Sequence, residues 1–140
     1  PAWTGELAAR VQFADGFPLL LVGEESLADL NARLPSPIPM NRFRPNVVVK
    51  GLPAYAEDAV REFVDGPLRL RPVKGCTRCK VTTTDQATGV VTGEEPLRTL
   101  RTYRWDAALH GIVFGQNLVV ASPLAGAHVL RVGQELAAER

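Results

Sequence analysis

Cys76 and Cys79 are the chain's two cysteines, and both lie in the segment KGCTRCKVTTTD, Lys74 to Asp85. Cys-x-x-Cys suits a disulfide, half a zinc site, a redox pair or a thiolate ligand for a softer metal. A disulfide would close a very small, strained loop. Zinc needs four ligands, and His110 and His128 do not have finger-like spacing. A redox pair usually precedes a helix, whereas CKVTTTD predicts a strand.

The charges around the cysteines favour the fourth possibility, a thiolate ligand for a softer metal. The stretch from Arg69 to Lys80 contains five cations and no acid: Arg69, Arg71, Lys74, Arg78 and Lys80. Cations beside a thiol favour the thiolate, which is the form that binds soft metals. A solvated basic face beside a buried, inert cysteine fits the same composition.

The sequence contains two further groups of arginines, and the first is a candidate anion site. In NRFRPNVVV, Arg42 and Arg44 alternate with Phe43, and Pro45 favours an extended backbone. This pattern predicts that both arginines share one face and form a bidentate anion clamp, although an exposed edge fits equally well. Arg98, Arg101 and Arg104 are spaced by three, which suits either a helical face or a polar strand edge.

The elements that must position these residues are mostly strands. Apolar runs and β-branched residues predict strands, and leucines at helical spacing after a capping serine, Ser26, predict a helix. The turn chemistry of DQATG predicts a turn from Asp85 to Gly89. The predicted strands are Leu19–Val22, a buried Asn46–Lys50, PLRLRPV, CKVTTTD and GIVFGQNLVV; the predicted helices are Ser26–Leu34 and Tyr55–Val64.

Size and composition fit one globular domain. The 140 residues are 46% apolar and 22% charged, with a formal net charge of +1, so neither nucleic acid nor membrane is an expected partner. The start of the chain lacks the features of a secretory signal, so we expect a cytoplasmic protein. The expected fold is mainly β with short helices, a single domain built as a barrel or a folded-over sheet.

Four ordered blocks resemble the MOSC domain (molybdenum cofactor sulfurase C-terminal domain): NRFRPNVVVKG, GCTRCKVTTTDQATG, EPLRTLRTYR and FGQNLVV. The chain is most similar to the branch that contains the amidoxime-reducing components. The resemblance extends back through FADGFPLLLVGEESLADLNARL, so residues 1–140 are interpreted as one MOSC domain. It implies a β-barrel-like fold.

The resemblance also implies a cofactor and the residues that hold it. MOSC domains of this branch bind molybdenum cofactor (molybdopterin), and the second cysteine of the CxRC block, here Cys79, is the protein ligand to molybdenum. Thr77, Arg78, Arg44 and Asn46 match cofactor-contacting positions. Cys76 matches a position that does not bind the metal.

The implied reaction is removal of oxygen from a small N-hydroxylated substrate. Electrons come from a separate iron–sulfur, flavin or haem protein. Full-length relatives carry an N-terminal β-rich domain that helps to bind the cofactor phosphate, and we expect that domain to be missing here. The family's sulfurases suggest an alternative, a sulfur carrier with a persulfide on Cys79. A third possibility is a non-catalytic module that binds anions through Arg42 and Arg44.

Overall fold

The computed structural model describes residues 16–121 and 129–140. In this part of the chain there are seven strands, two α-helices and three short 3-10 turns. The strands are β1 Leu19–Gly23, β2 Val47–Val49, β3 Glu62–Asp65, β4 Leu68–Thr77, β5 Trp105–Asp106, β6 Gly111–Val120 and β7 Ala137–Glu139. The helices are α1 Glu24–Arg33 and α2 Leu97–Arg101, and the 3-10 turns are Met40–Phe43, Ala56–Ala59 and Lys80–Thr83.

The strands form one curled sheet, a half-barrel, in the order β2-β1-β6-β4-β3-β7, with β5 paired to β6. β1 and β2 are parallel, and the other neighbouring pairs are antiparallel. The two longest strands, β4 and β6, are neighbours at the centre. The fold is therefore mainly β with two short helices in a single domain, which confirms the predicted fold class.

Successive residues of the strands pack on opposite faces of the sheet, because side chains alternate along an extended chain. Leu21 belongs to one apolar cluster with Phe63, Leu70 and Leu118, whereas the next residue, Val22, belongs to the other. The buried residues of the second cluster are Val22, Leu30, Phe43, Leu100, Ile112 and Phe114. This second cluster packs α1, α2 and the turn Met40–Phe43 against the sheet.

The first helix is confirmed, but its predicted cap is wrong. α1 begins at Glu24 with Gly23 at the N-cap. Ser26 lies inside the helix and is buried. Its hydroxyl donates to Glu57 Oε1 at 2.6 Å and accepts from the Tyr55 N–H at 2.8 Å. Ser26 therefore joins the helix to the turn Ala56–Ala59 instead of starting the helix.

Two other predictions for the first half of the chain are wrong. A helix over Tyr55–Val64 is replaced by the 3-10 turn Ala56–Ala59 and by β3, because Phe63 and Val64 pair with both β4 and β7. The strand at Asn46–Lys50 exists as β2, but it is not buried, and Val48 is 44% exposed. β2 pairs with β1 along one side and lies at the end of the sheet order.

The strands Leu19–Val22, PLRLRPV and GIVFGQNLVV are confirmed by β1, β4 and β6. The predicted turn at Asp85–Gly89 is also confirmed, since the Asp85 carboxylate accepts from the N–H groups of Ala87 and Thr88. No helix of the described residues is long and apolar enough to cross a membrane. His128 lies outside the described residues.

Candidate functional site

The end of β4 is held tightly against β6. Thr77, the last residue of β4, lies opposite Val113. The Arg78 N–H then donates to the Ile112 carbonyl at 2.8 Å, which adds one more hydrogen bond to the ladder. A Cβ on Gly75 would lie 2.7 Å from Val113 Cγ1, so this close approach requires glycine. The backbone on either side of Cys76 is therefore fixed by the central strand pair.

Cys79 lies where the chain leaves the sheet. Its carbonyl accepts hydrogen bonds from the N–H and the hydroxyl of Thr82, at 3.1 and 3.0 Å. Threonine commonly donates in this way to a carbonyl three residues earlier. The predicted strand CKVTTTD is therefore wrong, because Lys80–Thr83 is a 3-10 turn. The Thr82 side chain is buried, and its hydrogen bond holds the Cys79 carbonyl in place.

Arg78 connects two segments that are distant in sequence. Its guanidinium donates to Cys76 Sγ at 2.9 Å and to the Phe43 carbonyl at 2.8 Å, and it also lies over the Phe43 ring. Phe43 is itself buried and stacked on Phe114. Arg78 therefore holds the cysteine segment against the segment that carries Arg44 and Asn46. Its Nε is buried without a hydrogen-bond partner.

The two thiols differ in their environment. Both are free, Cys76 half-buried and Cys79 exposed. Cys76 Sγ accepts the Arg78 hydrogen bond, whereas no described residue makes a hydrogen bond with Cys79 Sγ. Within residues 16–121 and 129–140, no group of three or more His, Cys, Asp and Glu residues is placed to hold a metal ion. A metal bound to Cys79 would therefore need other ligands that are not supplied by such a group of described residues.

The sequence predicts that five cations favour the thiolate, but two of them have another partner in the fold. Arg69 and Arg71 both pair with Glu62 on β3. These two arginines hold the pKa of Glu62 below its usual value, Arg71 making the larger contribution. Arg78 does reach a thiol, but that thiol is Cys76. Of the five cations that are close in sequence, Arg69 and Arg71 thus lie beside Glu62, and Arg78 lies beside Cys76.

The predicted clamp of Arg42 and Arg44 is also wrong, because these residues do not share an extended face. Arg42 belongs to the turn Met40–Phe43 and is buried. Its guanidinium bonds to Thr92 Oγ1 at 3.0 Å and lies 3.4 Å from Asp85 Oδ2. Hydrogen bonds from the backbone and hydroxyl of Thr88, then from Ala87, together with Arg42, lower the pKa of Asp85.

Arg44 and Asn46 are nevertheless well placed to present polar groups. Arg44 is exposed, in the left-handed backbone region with φ of 54°, and no described residue binds its guanidinium. Asn46 exchanges two hydrogen bonds with Leu20 on β1: the Asn46 N–H donates to the Leu20 carbonyl, and the Leu20 N–H donates to Asn46 Oδ1. Asn46 is exposed, and no described residue makes a hydrogen bond with its Nδ2 group.

The later arginines form neither of the two predicted patterns. Arg98 and Arg101 lie on α2, whereas Arg104 lies beyond its end. Arg104 pairs with Asp58 at 2.6 Å and covers the Tyr55 ring. Arg98 pairs with Glu95 at 2.8 Å.

Two residues that support the site were missed by sequence reasoning, namely Thr82 and Phe43. Thr82 holds the Cys79 carbonyl, and Phe43 supplies the carbonyl and ring that fix Arg78. A threonine three residues after Cys79 was a usable signal for Thr82. No signal in the sequence identifies Phe43, because its contact with Arg78 spans 35 residues.

Comparisons with known proteins place the chain in a family. A model of the MOSC domain matches residues 8–137, so the chain belongs to the MOSC domain family. Mitochondrial amidoxime-reducing component 1 of Homo sapiens is 41% identical over 81% of this chain and 36% of its own length. Component 2 of Rattus norvegicus is 44% identical over 68% of this chain and 28% of its own. The chain thus spans only part of these relatives.

Proposed function

We propose that this MOSC domain binds molybdenum cofactor with Cys79 as the protein ligand to molybdenum. We further propose that it forms the catalytic half of a reductase of N-hydroxylated compounds. Family membership supports the first proposal, and the similarity to proteins named amidoxime-reducing components supports the second.

The observation that carries the proposal is the state of the Cys79 thiol. It is exposed, it has no hydrogen-bond partner among the described residues, and its backbone is fixed on both sides by Arg78 N–H and Thr82. A soft metal prefers a thiolate ligand, and a ligand held by a rigid backbone needs little rearrangement to bind. Cys76 is a poorer candidate, because its sulfur already accepts a hydrogen bond from Arg78.

Other side chains of the two segments have donors that suit the organic part of such a cofactor. Arg44 offers an exposed guanidinium, Asn46 offers its Nδ2 group and Thr77 offers an exposed hydroxyl. Arginine forks and amide groups are typical ligands of phosphate and of heterocyclic oxygens and nitrogens. Arg78 has a different role in our proposal: its hydrogen bonds to Cys76 and Phe43 hold the two binding segments together, and its buried Nε remains available as a donor.

When bound, molybdenum cofactor supplies two-electron oxygen-atom transfer. The protein's own residues would bind the cofactor, and the exposed Cys79 sulfur would hold its metal. From the family resemblance we also propose that a separate iron–sulfur, flavin or haem protein supplies the electrons. The cytoplasmic location also stays a proposal.

Metal analysis by inductively coupled plasma mass spectrometry tests the proposal. We would measure molybdenum in this chain and in a version extended at the N-terminus, each with Cys79→Ser and Cys76→Ser as a matched pair. We expect stoichiometric molybdenum in the extended protein, loss with Cys79→Ser and retention with Cys76→Ser, since Cys79 has the unpartnered sulfur.

Equal loss from both serine variants would contradict a single-thiolate site and indicate that both cysteines hold the metal. The exposed Cys79 thiol also suits the second candidate function, a sulfur carrier. A reducible adduct of about 32 Da on Cys79, the mass of one sulfur atom in a persulfide, together with no molybdenum, would favour that function.

A further inference from the structure

A second feature lies beside Cys79. An open cavity of about 500 Å3 is bounded by the turn Lys80–Thr83 on one side and by α2 on the other. Its walls combine apolar side chains, Val91 and Leu97, with the cations of Lys80 and Arg101. Small-molecule sites typically have about this volume and this mixture of apolar walls with a few polar groups.

The charges in this cavity are partly uncompensated. Arg98 also lines it, but its guanidinium is paired with Glu95. Lys80 and Arg101 have no ion pair with any described residue, and Glu94, the acid in the lining, has none either. Two unpaired cations and one carboxylate leave the cavity with a net positive charge that a ligand anion would compensate.

The cavity is rigidly linked to the candidate metal ligand. Lys80 is the residue after Cys79, so their Cα atoms are about 3.8 Å apart. The Thr83 carbonyl accepts hydrogen bonds from the N–H and the hydroxyl of Thr92, at 2.9 and 3.0 Å. On the opposite wall, α2 is anchored by Leu100, which is fully buried. The distance between the cavity and Cys79 is therefore set by the fold.

From this geometry we infer that the cavity is a substrate subsite that binds a carboxylate through Lys80 and Arg101. The inference rests on the proposed function and specifies its substrate class: N-hydroxylated compounds that also carry a carboxylate. One end of such a molecule would occupy the cavity, while its N-hydroxyl group would lie toward Cys79. The concave shape favours a small acid over the flat surface of a protein partner.

A binding experiment on this chain, without any cofactor, tests the subsite directly. Benzoate is the probe, neutral benzamide is its control, and backbone amide shifts are followed by NMR. We expect benzoate to change the backbone amide chemical shifts of Lys80, Thr83 and Arg101. Lys80→Gln and Arg101→Gln should each weaken binding about threefold to tenfold, as expected for the loss of one exposed charged hydrogen-bond donor.

Two further variants sharpen this test. Glu94→Gln should tighten benzoate binding, because it removes a carboxylate from the cavity. Arg61→Gln removes one cation from an exposed position outside the cavity and should leave binding unchanged. The subsite would be overturned if benzoate and benzamide gave equal shifts. It would also be overturned if Arg61→Gln weakened benzoate binding as much as Lys80→Gln or Arg101→Gln.

Steady-state kinetics of the cofactor-loaded, extended protein then test the substrate class. We expect Arg101→Gln to raise KM for a carboxylate-bearing benzamidoxime and to leave KM for unsubstituted benzamidoxime unchanged. Equal changes for both would overturn the assignment. Benzoate binding in a protein that never binds molybdenum would refute the proposed function and the substrate role together. Molybdenum binding without benzoate binding would refute the subsite alone.

Discussion

At the scale of single residues, the contacts of Arg78 show which parts of the site cannot be predicted from the sequence. Its position in the CxRC block marked it as functional, but the block does not reveal its partners. Those partners are Cys76, two residues away, and Phe43, 35 residues away. A sequence pattern can identify the first, because it is local, but not the second, which depends on the folded sheet.

Replacing Arg78 tests its role in joining the two segments. We expect Arg78→Gln to lower the free energy of unfolding by about 1–3 kcal/mol, because the Phe43 carbonyl loses a charged donor in a half-buried position. Arg78→Lys should recover little of the lost unfolding free energy, since an ammonium group cannot replace the fork of donors that spans both partners. Chemical denaturation measures both effects.

The matched control is Arg61→Gln, an exposed change for which we expect less than about 0.5 kcal/mol. If Arg78→Gln were as stable as this control, the bridge between the cysteine segment and Phe43 would contribute nothing to the fold. Molybdenum content of the extended Arg78→Gln protein should also fall, because the Arg44 segment would no longer be held in place.

At the scale of elements, prediction succeeded where a strand has an alternating or continuous apolar pattern, as in β1, β4 and β6. It was wrong for CKVTTTD, because threonine favours strands in general but here bonds back to the chain and forms a turn. It was also wrong for Tyr55–Val64, whose apolar spacing fits a helix. There, pairing of Phe63 with β4 and β7 outweighs the local pattern.

The close approach of β6 to its neighbour β1 depends on a single glycine, Gly115. Gly115 has φ of +81°, and a Cβ there would lie 2.7 Å from the Leu21 carbonyl. We expect Gly115→Ala to lower the free energy of unfolding by about 2 kcal/mol or more, through backbone strain and this steric clash. Thermal and chemical denaturation check this prediction.

The control for Gly115 is Gly16→Ala, at an exposed position where an added Cβ meets no atom within 4 Å. We expect this variant to be close to the parent in stability. Comparable stability of the two alanine variants would mean that β1 and β6 can separate slightly without loss, contrary to their tight packing.

At the scale of the whole molecule, the mainly β fold and the single domain were predictable, because both follow from composition and from many strands acting together. The distribution of charge was not predictable. Arg69 and Arg71 are close to the cysteines in sequence, but in the folded sheet they pair with Glu62 on β3. The guanidinium that reaches a cysteine is that of Arg78, which donates to Cys76.

The Glu62 cluster makes stability depend on pH. Because Arg71 and Arg69 hold the pKa of Glu62 below the usual 4.5, the folded state gains stability above that value. This gain is lost as pH falls from 4.5 through the lower folded pKa. We therefore expect the loss of unfolding free energy between about pH 7 and about pH 3 to be smaller in Glu62→Gln than in the parent.

Denaturation curves at both pH values provide this comparison, with Glu135→Gln as the control at an exposed glutamate. An identical acid response in Glu62→Gln and the parent would show that the two ion pairs add nothing to folding. Added salt should reduce the difference, because the arginines are partly exposed and their charges are screened.

The order of the strands also has a consequence for how quickly the chain folds. β1 pairs with β6, so Leu19 must find Leu118, which is far away in the sequence. During synthesis on the ribosome, β1 emerges long before its partner β6 has been made. Sheets dominated by such distant pairings fold in about milliseconds to seconds, more slowly than helical bundles. We therefore expect the sheet, and with it the Cys79 segment, to assemble late, after β6 has been released.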